Sequence, residues 1–260
     1  MKKNKFILLL MLSSAFSLNH NFEMVDSNDG ISSIIFQSDN IELEVENGKT
    51  KFKVSDLIGL TMDEGKPQMP VYSTLFQINP DKNYEIEYEV LDSYVLDNID
   101  FENYKQDNVG PYSVYPEDNL YVSNPEIMRG VVLKQIGITP YKYFSEDKKL
   151  EVYKSIKINI KESGDSNLDY FIPEKKSRVF EELYSSSVIN YQRSSRSSDY
   201  QTPSILYICG GSSCSNDYFE ALVLWRKKQG YDVTVVSTNE SGSSENAINN
   251  YISNAYYLWT

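Results

Sequence analysis

A chain of 260 residues with 40% hydrophobic content is long enough for one large or two ordinary domains with real cores. Its 37 acidic residues outweigh 25 basic ones, and the net charge of −12 argues against nucleic acid or an anionic membrane surface as partner. Only Cys209 and Cys214 are present, so the chain is no disulfide scaffold, and 21 tyrosines favour half-buried sheets with polar rims.

The N-terminus reads as an export signal. Lys2, Lys3 and Lys5 precede an unbroken apolar run from Phe6 to Leu12, and Ala15-Phe16-Ser17 is a small-x-small cleavage site that places the cut after Ser17. The run is too short to span a bilayer and no second anchor follows it; an uncleaved N-terminal anchor is the alternative. No later stretch is apolar enough to cross a membrane, so the expected destination is the extracellular space or cell surface.

From about Ile34 to Ile160 the pattern has period two. Ile41, Leu43 and Val45 alternate with Glu42, Glu44 and Glu46, and Asn47-Gly48 marks a hairpin turn before Phe52 and Val54. Tyr84, Ile86, Tyr88 and Val90 alternate with Glu85, Glu87 and Glu89. Val131 to Thr139 predicts another strand, Val152, Ile156, Ile158 and Ile160 line a last one, and Tyr141 to Lys149 reads as the polar hairpin loop joining these two. Residues 18–160 are therefore expected to form a β-rich antiparallel domain, sandwich or barrel-like.

Residues 161–203 read as an exposed Ser-rich linker. Gly164 to Asn167 is a polar turn, and the stretch from Tyr191 to Asp199 carries Arg193 and Arg196 in a composition unable to bury enough surface to order itself. It is either a simple tether or a processing site; Arg178 is a weaker candidate, with Val179, Phe180 and Leu183 nearby to pin it.

After Pro203 the period changes. Ile205 to Ile208 is a short continuous apolar run of the kind seen in buried parallel strands. Gly210 to Ser213 turns the chain, Asn216 or Asp217 caps a helix from Tyr218 to Gln229, and Gly230 stops it. Val233, Val235 and Val236 predict a second strand, and Ala247, Ile248, Tyr251, Ile252, Ala255 and Tyr256 repeat at helical spacing behind Ser243 or Ser244. Strand, helix, strand, helix over 204–260 is the opening of a parallel α/β domain, expected to be incomplete here. The glycine–serine turn after the first strand lacks the lysine of a phosphate-binding loop, and neither calcium-loop nor zinc spacing occurs.

Ile205-Leu206-Tyr207-Ile208, followed by Phe219 to Val233 with Trp225-Arg226-Lys227-Lys228-Gln229-Gly230 at the end of the helix, resembles the start of the gingipain-family cysteine peptidase domain. Asn246 to Trp259 fits that family's next helix. The earlier region resembles the family's propeptide: Asp63-Glu64-Gly65-Lys66-Pro67-Gln68-Met69-Pro70-Val71, Tyr115-Pro116-Glu117, Asn124 to Gly130, Tyr141-Lys142-Tyr143 and Lys149 to Tyr153 follow in family order.

The resemblance implies a caspase-like fold for the second domain and a Cys nucleophile activated by a His, both downstream of the matching segment. The single histidine, His20, lies beside the predicted signal cleavage site and leaves none to pair with either cysteine. Cys209 and Cys214 are read as a small core residue and a surface thiol, or else as a short-range disulfide, and neither as the nucleophile. The chain itself thus has no catalytic residues and is expected to be inactive. No cofactor is visible, although a structural calcium ion is compatible with the full-length family member.

Resemblance further implies that the propeptide aids folding, caps its own catalytic domain and keeps the zymogen silent toward protein and peptide substrates. A basic residue would fill the specificity pocket, Lys105 and Arg129 being the candidates, and activation would cut after Arg193 or Arg196. The competing expectation is a non-catalytic secreted β-domain that binds a partner or the cell surface.

Overall fold

The computed structural model describes residues 21–28, 30–54, 58–105, 112–171, 175–193 and 200–259. The signal segment, His20 and Arg196 lie outside these residues. Two compact units emerge: one holds the described residues through Tyr170 with Tyr184–Gln192, and the other holds Phe171–Leu183 with the described residues from Arg193 onward.

The first unit is built on two long central strands. Strands β1 (Phe22–Asn28), β2 (Ile31–Gln37), β7 (Lys82–Leu96), β8 (Val114–Tyr115), β12 (Tyr141–Phe144) and β13 (Lys149–Asp165) form one antiparallel sheet. Strand β13 pairs with β7 along nearly its whole length, from Leu150–Leu96 to Asp165–Lys82. It also pairs first with β12 and then with β2, from Tyr141–Val152 to Ile31–Lys161. In the second sheet, β11 (Val131–Ile138) pairs with β6 (Pro70–Gln77) and, in succession, with β10 (Glu126–Met128) and β9 (Leu120–Val122), while β5 (Gly59–Leu60) continues beyond β6. Both sheets are open, which removes the barrel alternative.

Alternation explains how the sheets bury their faces. Ile34, Phe36, Ile156, Ile158 and Ile160 from the first sheet and Tyr72, Phe76, Ile136 and Ile138 from the second share one core. The Phe36 and Tyr72 rings meet at 5.2 Å across it. Each residue of this size removes about 1.5–3 kcal/mol of apolar exposure from water. A smaller hairpin, β3 (Leu43–Glu46) and β4 (Lys49–Phe52), turns at Asn47 and Gly48, whose φ values of 52° and 79° are those a two-residue I′ turn requires.

Two expectations need correction. Tyr141–Phe144 is a strand and not part of a hairpin loop; Tyr141 and Tyr143 point into the core, and only the tip from Ser145 to Lys148 is a turn. Val131–Ile138 accordingly does not pair with β13, because the chain passes from one sheet to the other at Thr139-Pro140.

The stretch 161–203 is also more ordered than a linker. Strand β13 runs on to Asp165, and helix α1 occupies Arg178–Ser187. Glu181, Tyr184 and Ser187 are buried, so the covered side of α1 is partly polar and a hydrophobicity count misses it. Beyond the helix, Ile189 N–H donates to Leu75 C=O at 2.9 Å. The Asn190 side chain then takes both backbone groups of Gln77, accepting from its N–H at 2.7 Å and donating to its C=O at 2.8 Å. Ser-rich composition does not prevent order here because the edge of β6 supplies the missing partners.

In the second unit, β14 (Ser204–Cys209) and β15 (Asp232–Ser237) are parallel, in register from Ser204–Asp232 to Cys209–Ser237. Helix α2 (Asp217–Lys228) connects them, and the Asn216 side chain caps it by accepting from Tyr218 N–H at 3.0 Å. The short helix α3 (Thr238–Ser241) precedes α4 (Glu245–Trp259), where Ser244 Oγ accepts from Ala247 N–H at 3.3 Å. The predicted order of strand, helix, strand and helix is what the chain forms, with α3 inserted.

Candidate functional site

Four arginines and one lysine carry the sequence-predicted roles. Lys105 ends a segment, Phe101–Lys105, that is stitched to the loop Thr61–Met69. Gly65 N–H donates to Tyr104 C=O at 2.6 Å, Tyr104 N–H to Lys66 C=O at 2.8 Å, and Pro67 and Asn103 form an antiparallel bridge. Thr61 closes the loop on itself: its N–H donates to Met69 C=O at 2.9 Å, and its hydroxyl accepts from Met69 N–H at 2.9 Å. Met69 is fully buried beneath.

Aromatic side chains brace the same loop. The Tyr115 hydroxyl donates to Asp63 at 2.8 Å, and the Lys66 ammonium sits 3.8 Å above the Tyr112 ring. Burial pushes the Tyr112 phenol up to about 12 and raises Tyr115 as well, so both remain neutral donors. On this braced support Lys105 adopts a left-handed φ of 47°, and its side chain is 59% exposed. Its ammonium lies 5.0 Å from the Tyr104 ring centre and 3.6 Å from Glu64, and hydrogen bonding to Tyr104 first, then the charge of Glu64, raise the Lys105 pKa. The lysine is a protonated, displayed cation whose exposed partners hold it weakly.

Arg129 is placed differently. It occupies the turn between β10 and β11, with φ 43°, and is half-buried. The neighbouring Met128 C=O accepts a 2.6 Å hydrogen bond from the buried Tyr184 hydroxyl, which locks that hairpin to the following chain. Of the two candidates only Lys105 is presented to solvent on a rigid base.

Arg193 stands directly before residues 194–199. Its guanidinium donates to Glu182 on α1 at 3.1 Å and also reaches Tyr200, and hydrogen bonds to Tyr200 and then Glu182 raise its pKa. Arg178 is the first residue of α1, with its guanidinium 5.3 Å from the Tyr200 ring. A helical arginine cannot enter a protease cleft as an extended strand, so Arg178 is the poorer substrate. The partners Glu182 and Tyr200, 11 residues before and 7 after Arg193, were not legible because no periodic spacing connects them.

Cys209 and Cys214 form a disulfide with Cα atoms 5.5 Å apart, bracketing the 3-10 turn Gly211–Ser215. This corrects the thiol reading: the turn folds the chain back so that the surface cysteine reaches the buried one at the end of β14. Neither sulfur is available as a nucleophile. Among the described residues no group of three His, Cys, Asp or Glu side chains is arranged to hold a metal ion, and no helix is long and apolar enough to cross a membrane.

Residues 16–198 match the Propeptide_C25 family. The chain belongs to that family, the propeptides of gingipain-type cysteine peptidase precursors. Among solved structures, the complex of the pro- and mature domains of RgpB from Porphyromonas gingivalis is similar over 66% of this chain and 96% of its own, with 18% identity and a TM-score of 0.53. A structure addressing the zymogenic latency of gingipain K from the same organism is similar over 55% of this chain and 92% of its own, with 17% identity and a TM-score of 0.45. No curated protein matches the chain. The match covers the β-sandwich, α1 and Arg193, and it stops before β14.

Proposed function

We propose that the β-sandwich is the latency pro-domain of a secreted gingipain-like cysteine endopeptidase zymogen, and that residues 204–260 open its caspase-like catalytic domain. The observation that carries this reading is the family match over 16–198 in a chain that runs on into a parallel β–α–β unit. In this account the sandwich assists folding of the catalytic domain and covers its cleft, while Lys105 enters the specificity pocket. A long, exposed, protonated side chain on a braced turn suits that role, because its rigid base lowers the entropy lost on docking. Arg129, half-buried in its hairpin, does not.

Activation follows from cutting after Arg193 or Arg196. Both lie between β13 and β14, where a cut leaves the sheets intact. The test is to express the full-length precursor and sequence the N-terminus of its mature form. A new terminus at Ser194 or Ser197 is expected, with uncut precursor accumulating in the Arg193→Ala, Arg196→Ala double variant. A terminus within β3 to β13, or maturation of the double variant at the normal rate, overturns the assignment. If no mature peptidase arises and the intact β-sandwich is retained on the cell surface, the binding-module reading takes its place.

A further inference from the structure

We infer that the open edge of β7 docks a second copy of this chain, the two strands pairing antiparallel about a two-fold axis at Leu91 so that the first sheets of two sandwiches become continuous. The inference concerns the sandwich alone and does not depend on the peptidase reading.

Strand β7 is 15 residues long and pairs along one edge, with β13. Among the described residues, its backbone bonding outside that pairing is confined to its start, where Lys82 N–H donates to Asn79 C=O at 3.1 Å. A bare edge of this length is a template for another strand, and proteins commonly block such edges with proline, lysine or inward-pointing charge. From Tyr84 to Leu96, β7 has neither proline nor lysine. Tyr84, Ile86, Tyr88, Val90, Tyr94 and Leu96 point inward, packed against the core yet only partly covered. Asp92, the one charge in that series, stands exposed where the register with β13 shifts. On the outer face Leu91 and Val95 are 49% and 52% exposed.

Charge and register select the partner. A two-fold axis perpendicular to the sheet pairs inward residues with inward ones and outward with outward. An axis at Glu89 or any earlier residue of the run sets Glu85, Glu87 and Glu89 against one another, which is destabilising. An axis at Val90 places Leu91 opposite Glu89 and Tyr88 opposite Asp92. An axis at Asp92 opposes that carboxylate to itself, and later ones shorten the ladder. At Leu91 the fit is better on both faces. Outside, the two Leu91 side chains meet, Val95 faces Glu87 and Ser93 faces Glu89; inside, Tyr88 meets Tyr94, Ile86 meets Leu96, and Val90 lies beside the exposed Asp92. Apolar and aromatic cross-strand pairs of this kind stabilise a sheet. The strand is therefore complementary to itself in one register, the condition for an isologous dimer.

The test is analytical ultracentrifugation of the 260-residue chain. A single strand pair makes an interface at the small end of the range, so concentration-dependent exchange between monomer and dimer is expected at micromolar concentrations. Leu91→Glu, which sets two carboxylates on the axis, and Val95→Glu, which opposes Glu87, are each expected to weaken dimerisation at least tenfold. Glu87 faces Asn159 on β13, so Glu87→Lys breaks no cross-strand charge pair there. Added to Val95→Glu it is expected to restore the dimer, because the two substituted side chains stand opposite each other only in this register. Leu91→Cys should give a cross-linked dimer under oxidised glutathione and Glu85→Cys should not; Cys209 and Cys214 are already bonded to each other and do not compete. This readout holds even where a charged variant lowers stability. A chain that stays monomeric throughout, a dimer indifferent to Leu91→Glu, or Val95→Glu unrescued by Glu87→Lys overturns the inference.

Discussion

The sandwich and the C-terminal unit bury their apolar residues to very different extents. In the sandwich, Ile34, Phe36, Met69, Ile136, Ile138, Ile156 and Ile158 are completely covered. In the C-terminal unit, α2 contains no buried residue; Leu224 and Trp225 are 55% and 51% exposed, and Leu258 on α4 is 82% exposed. Its covered apolar residues are few, chiefly Cys209, Val233, Val236 and Ala255. The contrast separates two regions of one chain: the sandwich encloses a core shared by its sheets, whereas the parallel pair and its helices leave large apolar side chains exposed.

The largest expected effect breaks that contrast directly. Ile136→Ala, in a fully covered position of β11, should destabilise the sandwich by about 2–5 kcal/mol, whereas Leu224→Ala should change stability by less than about 0.5 kcal/mol. Urea unfolding followed by tryptophan and tyrosine emission separates the two, since Trp225 and Trp259 both belong to the C-terminal unit. Equal costs at both positions would show that the two regions share one core.

A middle-sized effect concerns the chain that returns to the sandwich. Asn190→Ala removes both hydrogen bonds to the Gln77 backbone and should cost about 1–3 kcal/mol, with faster amide exchange at Gln77 than at Phe76 or Leu75. Unchanged exchange there would mean that water substitutes fully for the side chain.

The smallest effect is electrostatic. Hydrogen bonds from Lys49 and then Lys148 hold the Asp100 carboxyl below the usual carboxylate range. Its stabilisation is therefore present above the unfolded pKa near ~3.9 and disappears as pH falls through the lower folded value. Because its side chain is 38% exposed, solvent screening limits the contribution to less than about 1 kcal/mol. Lys49→Met should cost up to about 1 kcal/mol at neutral pH and progressively less as pH falls below about 4, so that the acid limb of the stability profile flattens. A loss at pH 3 as large as or larger than that at neutral pH would contradict this sign.

How much of this was legible depended on whether a residue's partner was local. Strand β7 was readable because Tyr84, Ile86, Tyr88 and Val90 alternate with glutamates over a long run, and the β3–β4 turn because Asn-Gly is itself the signal. Helix α2 announced its start at Asn216 and its stop at Gly230. By contrast, β12 is four residues of tyrosine, lysine and phenylalanine beside a polar tip, and its burial depends on strands distant in sequence. Helix α1 hid because Glu181 and Ser187 occupy its covered side, the former made tolerable by Lys176. At the candidate site, the charge of Lys105 was visible; its exposure, its left-handed backbone and the braced loop under it are products of pairing between Gly65, Lys66 and Tyr104.

We propose that the sandwich silences a peptidase through Lys105. The most direct measurement titrates recombinant residues 18–192 against the mature peptidase released from the same precursor, monitoring peptide hydrolysis. The account predicts inhibition that saturates at one propeptide per enzyme, with the inhibition constant raised at least tenfold by Lys105→Ala, unaltered by Arg129→Ala, and with the stability of the sandwich within about 0.5 kcal/mol of wild type in the Lys105→Ala variant. Hydrolysis that continues at full rate in excess propeptide, or inhibition indifferent to Lys105→Ala, would contradict it.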